Sequence, residues 1–164
     1  MYQEFWNLFY DYTFSQFYYQ LYFVRAERKR RAVSGICLVA SSAFLVSWYQ
    51  SGEHGLLWAL LLFACQLVAV LQPIYPYSEQ VFAAKCLYED LTGLVRDMEE
   101  ARADFSQETT EAEFFEQNKA FRRRFDEIEL RFATPALFPQ SALLARKAKK
   151  KTENYFRRFY ADGE

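Results

Sequence analysis

The sequence predicts an all-α membrane protein with a two-helix transmembrane hairpin at its centre. Two uncharged apolar segments lie close together at 33–49 and 56–75, and Gly and Pro are scarce, at 5 and 4 of 164 residues. A helix rises 1.5 Å per residue, so about 20 apolar residues cross a hydrocarbon core of about 30 Å. The second segment has that length, and the first reaches it if Ala32 and Gln50 are counted. The joining loop is short and contains no Lys or Arg, so the spans are expected to run antiparallel.

Three parts are predicted along the chain. They are an aromatic amphipathic helix with a basic run at 1–32, the transmembrane hairpin at 33–76, and a helical cytoplasmic region with a basic last helix at 77–164. The basic run directly precedes the first span and favours the cytoplasmic side, so both termini are expected in the cytoplasm. The alternative is a pair of core helices in a globular protein. The length of the two segments and their lack of charge argue against it.

The first 24 residues are rich in Phe, Tyr and Trp, with polar residues such as Gln3, Glu4 and Asn7 between them. This pattern suits a helix at a membrane–water boundary, where amphipathic rings are favourable. It is equally typical of a buried helix in a globular domain, so both interpretations stay open.

Two apolar stripes with alternating four- and three-residue steps follow the hairpin, and they predict a helical hairpin that buries one stripe against the other. Thr110 and Glu113 have the spacing of a capping box, and Ser141 can cap a last helix that runs to about Tyr160. The first stripe consists of Leu87, Leu91, Leu94, Met98, Ala101 and Phe105, and the second of Phe114, Asn118, Phe121, Phe125, Ile128 and Phe132.

The C-terminal charges are segregated, with acidic residues concentrated in 89–116 and cations in the second stripe and the last helix. The basic helix allows three interpretations: binding to an anionic membrane leaflet, pairing with the acidic stretch, or binding an anionic nucleotide or short nucleic acid through phosphate contacts. The candidate ligand-binding residues are Arg122, Arg123, Arg124, Arg146, Lys147, Lys150, Lys151, Arg157 and Arg158.

Catalytic motifs are missing from the sequence. It contains no Gly-rich phosphate loop, no GxSxG and no HExxH, and its three Cys form no CxxC pair. We therefore predict that the chain is not an enzyme and uses no cofactor or metal. Ser34, Ser41 and Gln66 are instead candidates to line a pore, or to hold helices together by close contact and hydrogen bonds. Because two spans cannot enclose a channel, a pore would require a homo-oligomer.

The order of parts resembles that of the SLATT family, small bacterial proteins with two transmembrane helices from anti-phage systems that often include a nucleotidyltransferase. The resemblance covers roughly 5–130, through FYYQLYFVRAERKRR, the WALLLFACQ of the second span and a PYS exit. It implies an oligomeric inner-membrane effector whose ligand-gated pore or ion channel opens on a nucleotide or oligonucleotide signal, depolarises the membrane and arrests or kills the cell. The alternative is a membrane-anchored scaffold that recruits a cytoplasmic protein partner.

Overall fold

A computed structural model describes four helices and no strand in residues 2–49, 63–64, 67, 77–104, 110–132 and 138–160. The all-helical part of the prediction is therefore confirmed, including a last helix that begins directly after Ser141 and ends at Tyr160. The helices are α1 (Tyr2–Tyr49), α2 (Tyr77–Asp104), α3 (Glu111–Phe132) and α4 (Ala142–Tyr160).

The predicted transmembrane hairpin at 33–76 is wrong. No helix in the described part of the chain is both long and apolar enough to cross a membrane. The uncharged end of α1, at 33–49, spans only about 26 Å of helix, short of the hydrocarbon core of about 30 Å. The second predicted span, 56–75, lies outside the described residues except for 63–64 and 67. The predicted inner-membrane localisation and the cytoplasmic placement of both termini depended on this hairpin, so neither prediction stands.

The chain divides into two compact units, which differ from the predicted parts. The first unit consists of Met1–Val24 together with Phe82–Glu164, and the second consists of Arg25–Val81. The aromatic start of α1 therefore shares a unit with the C-terminal helices, whereas the sequence grouped it with the basic run. In the second unit, Arg31 pairs with Glu27 one turn earlier on α1, with 2.5 Å between Nη2 and Oε1.

The aromatic part of α1 is a core helix of the first unit. Phe5 and Phe9 are fully buried, and Tyr12 and Thr13 are buried on the same side. Steps of four and three residues place these side chains on one face of a helix. Of the two interpretations of this segment, the buried helix is therefore the one that the structure bears out.

Helix α1 runs antiparallel to α2, and amide side chains join the two helices. Gln16 donates from Nε2 to Oγ1 of Thr92 at 3.0 Å, and Gln20 donates from Nε2 to the hydroxyl of Tyr88 at 3.3 Å. Between these two contacts the residue number increases along α1 and decreases along α2, so the two helices run in opposite directions.

Aromatic rings join α1 to the other two helices. The Tyr12 ring stacks on Phe125 of α3, with centroids 4.2 Å apart and planes 10° apart. Phe9 meets Phe156 of α4 edge to face at 5.2 Å. Edge-to-face pairs with centroids about 4.5–7 Å apart are a favourable arrangement of aromatic rings. Helix α1 thus contacts each of the other three helices of the first unit.

Both apolar stripes enter this core. Leu87, Leu91, Leu94 and Met98 are fully buried on α2. On α3, three stripe residues are buried and the rest pack against the same core while partly exposed. The helical stripes are therefore confirmed, apart from Ala101, which is only half-buried, and Phe105, which lies outside the described residues. The stripes share one core with the rings of α1, which the sequence did not predict.

The predicted capping box forms at the start of α3. The Thr110 N–H donates to Oε2 of Glu113 at 3.0 Å, and the Glu113 N–H donates to Oγ1 of Thr110 at 3.4 Å. These reciprocal bonds satisfy N–H groups that the first helical turn leaves unpaired. The Thr110 backbone and hydroxyl hydrogen bonds lower the pKa of the Glu113 carboxyl.

Candidate anion-binding helix and aromatic groove

One face of helix α4 packs against the rest of the first unit. Leu144, Ala148 and Thr152 recur every fourth residue and are buried. The Thr152 hydroxyl donates to the carbonyl oxygen of Ala148 at 3.0 Å, so burial leaves no unpaired polar group on this side chain.

The C-terminal end of α4 is held by aromatic packing. Phe156 and Tyr160 lie against Trp6 and Phe9 of α1; Trp6 and Tyr160, for example, have centroids 5.4 Å apart. Tyr155 and Phe156 both pack against the core, which argues against these two rings as platforms for stacked bases. Phe159, by contrast, remains 60% exposed.

The remaining surface of α4 is exposed and mostly cationic, with Glu153 as its one carboxylate. Among the side chains that the structure describes, none of these cations forms an ion pair, so pairing with 89–116 of the same chain is not observed. Lys151 donates to Oε1 of Gln20 at 3.0 Å and lies 5.5 Å from the centroid of Phe17. This basic face consists of Arg146, Lys147, Lys149, Lys150, Lys151, Arg157 and Arg158.

The basic cluster of α3 has a different environment. Arg122 pairs with Glu4 of α1 at 2.5 Å, and Arg124 pairs with Asp97 of α2. Arg123 is exposed between them. Ion pairs this exposed contribute only about 0–1 kcal/mol to stability. They nevertheless place a carboxylate next to two of the three cations in this cluster. In the described part of the chain, no contact joins this cluster to the basic face of α4.

The three predicted pore-lining residues do not form a site. Ser34 is exposed on α1 in the second unit. Ser41 lies in α1, but its side chain is outside the described residues, as is all of Gln66. Their pore-lining role depended on two membrane spans and falls with them.

One polar cluster was not predicted from the sequence, in which 89–116 was interpreted only as an acidic stretch. Glu99 accepts hydrogen bonds from the hydroxyls of Tyr155 and Tyr160. The guanidinium of Arg102 lies over the same Tyr160 ring, 4.4 Å from its centroid, and 5.6 Å from that of Trp6. Burial, and then the Glu99 carboxylate, raise the pKa of Tyr160. The positions of Glu99 and Arg102 beside the buried stripe of α2 could have indicated this cluster from the sequence.

A groove of about 680 Å³ lies between α1 and the start of α4. At its edge the Ser141 N–H donates to the Tyr18 hydroxyl at 3.2 Å, and Tyr19 meets Phe138 edge to face at 5.4 Å. Burial and then nearby Glu129 raise the pKa of Tyr19 to about 12, so this phenol stays neutral at physiological pH. The lining of this aromatic groove is Phe14, Ser15, Tyr18, Tyr19, Phe138, Pro139, Gln140, Ser141, Ala142 and Ala145.

The aromatic groove was also not predicted from the sequence, because its lining comes from two segments that are far apart in the chain. The one signal in the sequence was an aromatic residue, Phe138, shortly before the last helix. No group of His, Cys, Asp or Glu in the described part of the chain is placed to hold a metal ion.

Comparison of the chain with protein-family models, curated proteins and solved structures found no match. The resemblance to the SLATT family therefore stays a prediction, and the function has to be argued from the first unit itself.

Proposed function

We propose that this chain is a binding module for a phosphate-bearing ligand, a nucleotide or a short single-stranded nucleic acid, held on the basic face of α4. The observation that carries the proposal is a contrast between two clusters. Arg122 and Arg124 of α3 each have a carboxylate partner, whereas the cations of α4 are exposed without one among the described side chains.

Phosphate contacts explain why such a face favours a polyanion. Side chains three and four residues apart on a helix are neighbours, so Arg146, Lys147, Lys150 and Lys151 form a continuous strip of positive charge. Each phosphate neutralised by a cation releases condensed counterions, which gives affinity that falls with salt. The buried face and aromatic end of α4 hold this strip on a rigid support, so the ligand need not order the helix.

The biological role rests on the resemblance alone. In the anti-phage setting that the SLATT family implies, the ligand would be a nucleotide signal made by a partner nucleotidyltransferase. Binding could then change the assembly of the chain, but only if the ligand binds one state more tightly than the other.

The proposed function is tested by matched charge variants. Arg146, Lys147 and Lys150 are exposed and form no ion pair among the described side chains, so R146Q/K147Q/K150Q should fold normally. K85Q/R96Q/K119Q removes as many charges from exposed sites elsewhere. We expect the first variant, but not the second, to bind a fluorescent single-stranded oligonucleotide more weakly, with the slope of log affinity against log salt reduced by about 2.

Fluorescence anisotropy over a salt series measures both quantities. An equal loss in the two variants would mean that net charge alone attracts the oligonucleotide. No binding by the unchanged chain at low salt would overturn the proposed function.

A further inference from the structure

The aromatic groove adjoins the basic face, and the two together suggest a more specific ligand. The groove is walled by rings of α1 and of the segment before α4, with the small side chains of Ala142 and Ala145 leaving its α4 side open. Its volume of about 680 Å³ lies within the range of small-molecule sites, which are about 300–1,000 Å³.

The lining of the groove suits a planar ring. Phe14 and Tyr18 lie one helical turn apart on α1, with their ring planes only 28° apart, and both are half-buried. They therefore present two similarly oriented aromatic surfaces. Every nucleobase has a flat π-face that stacks on such side chains without regard to sequence. Ser15, Gln140 and Ser141 place polar groups at the same site, as base edges require.

The cations beside the groove indicate how a ligand would be oriented in it. Arg146 is one turn beyond Ala142 on α4, and Lys149 is one turn beyond Ala145, so each cation continues the helix face that lines the groove. Both cations are exposed. A ligand with a flat apolar end and an anionic chain matches this arrangement.

We propose that the aromatic groove is a nucleobase pocket, in which one base of the ligand stacks against Phe14 and Tyr18 while its phosphates follow the basic face of α4. This inference rests on the proposed function and adds recognition of the base to recognition of phosphate. It predicts that the chain distinguishes a base-bearing strand from an abasic strand of equal charge.

The test uses an oligodeoxythymidylate of about ten nucleotides and an abasic strand of the same length, with the full chain. The variant A145L extends a side chain into the groove, and A120L makes the same change at an exposed position of α3 as the control. We expect the unchanged chain and A120L to bind the base-bearing strand roughly tenfold more tightly than the abasic strand. A145L should bind both strands with the lower, abasic affinity.

The outcomes separate the two proposals. A base preference that survives in A145L, or is absent from the unchanged chain, overturns the nucleobase pocket and leaves phosphate binding intact. Failure of the unchanged chain to bind either strand overturns both proposals.

Discussion

At the scale of single residues, Asn118 shows a conflict between position and chemistry. It lies in the apolar stripe of α3 and is 4% exposed, and its Oδ1 has no hydrogen-bond partner among the described residues. A buried polar atom without a partner costs about 1–3 kcal/mol. A polar residue in such a stripe can set helix register or oligomer number.

Replacing Asn118 tests whether that cost is present. N118L keeps the same branched arrangement of heavy atoms and removes the unpaired oxygen, so we expect the free energy of unfolding to rise by about 1–2 kcal/mol. Urea unfolding followed by circular dichroism measures this change. Q117L, an exposed neighbour, should change stability by less than about 0.5 kcal/mol. A loss of stability in N118L would mean that the amide makes a stabilising contact.

At the scale of elements, the start of α3 shows how a short motif sets a helix boundary. Thr110 and Glu113 were predicted as a capping box from spacing alone, and both hydrogen bonds form. Local geometry suffices here, because the two residues lie within one turn and need no other part of the fold.

The pKa of Glu113 makes this boundary sensitive to acid. Because its folded pKa is lowered from 4.5, the carboxylate contributes stability that is present above about pH 4.5 and is lost as pH falls through the folded value. E113Q keeps a hydrogen-bonding side chain and removes the charge. We expect it to be less stable than the unchanged chain at neutral pH and equally stable in strong acid.

Unfolding of the two proteins across a pH series measures that difference. E127Q, at an exposed site of the same helix, is the control for general loss of negative charge. A deficit in E113Q that persists unchanged in acid would contradict the assignment to the charge of Glu113.

At the scale of the first unit, α1 is the element that the other helices share. Its rings meet α3 and α4, and its amides meet α2. Phe9 illustrates this position, because it is fully buried and contacts Trp6 on its own helix and Phe156 and Tyr160 on α4.

Loss of this ring should weaken the whole unit. We expect F9A to lower the free energy of unfolding by about 3–5 kcal/mol, because a buried phenyl ring is replaced by a cavity. F115A removes a ring that is 60% exposed on α3 and should cost less than about 1 kcal/mol. Thermal or urea unfolding compares the two. Similar losses in both variants would show that Phe9 is not part of a packed core.

Much of the helical structure could be predicted, whereas the candidate site could be predicted only in part. Steps of three and four residues located the stripes of α2 and α3, since helical period depends on neighbours in sequence. The basic face of α4 was predicted from charge. The aromatic groove was not, because Tyr18 and Ser141 are far apart in the chain and only packing brings them together.

The sequence by itself determined the stripes of α2 and α3, the bounds of α4, the capping box and the segregation of charge, all of which follow from residues within a few turns of one another. The tertiary structure decided which surface covers each apolar face. The rings of α1 suited a membrane boundary and a protein core equally well, because hydrophobic burial is non-directional and does not specify its partner. Contacts with α2, α3 and α4 place those rings in a protein core, and the same packing leaves the cations of α4 exposed.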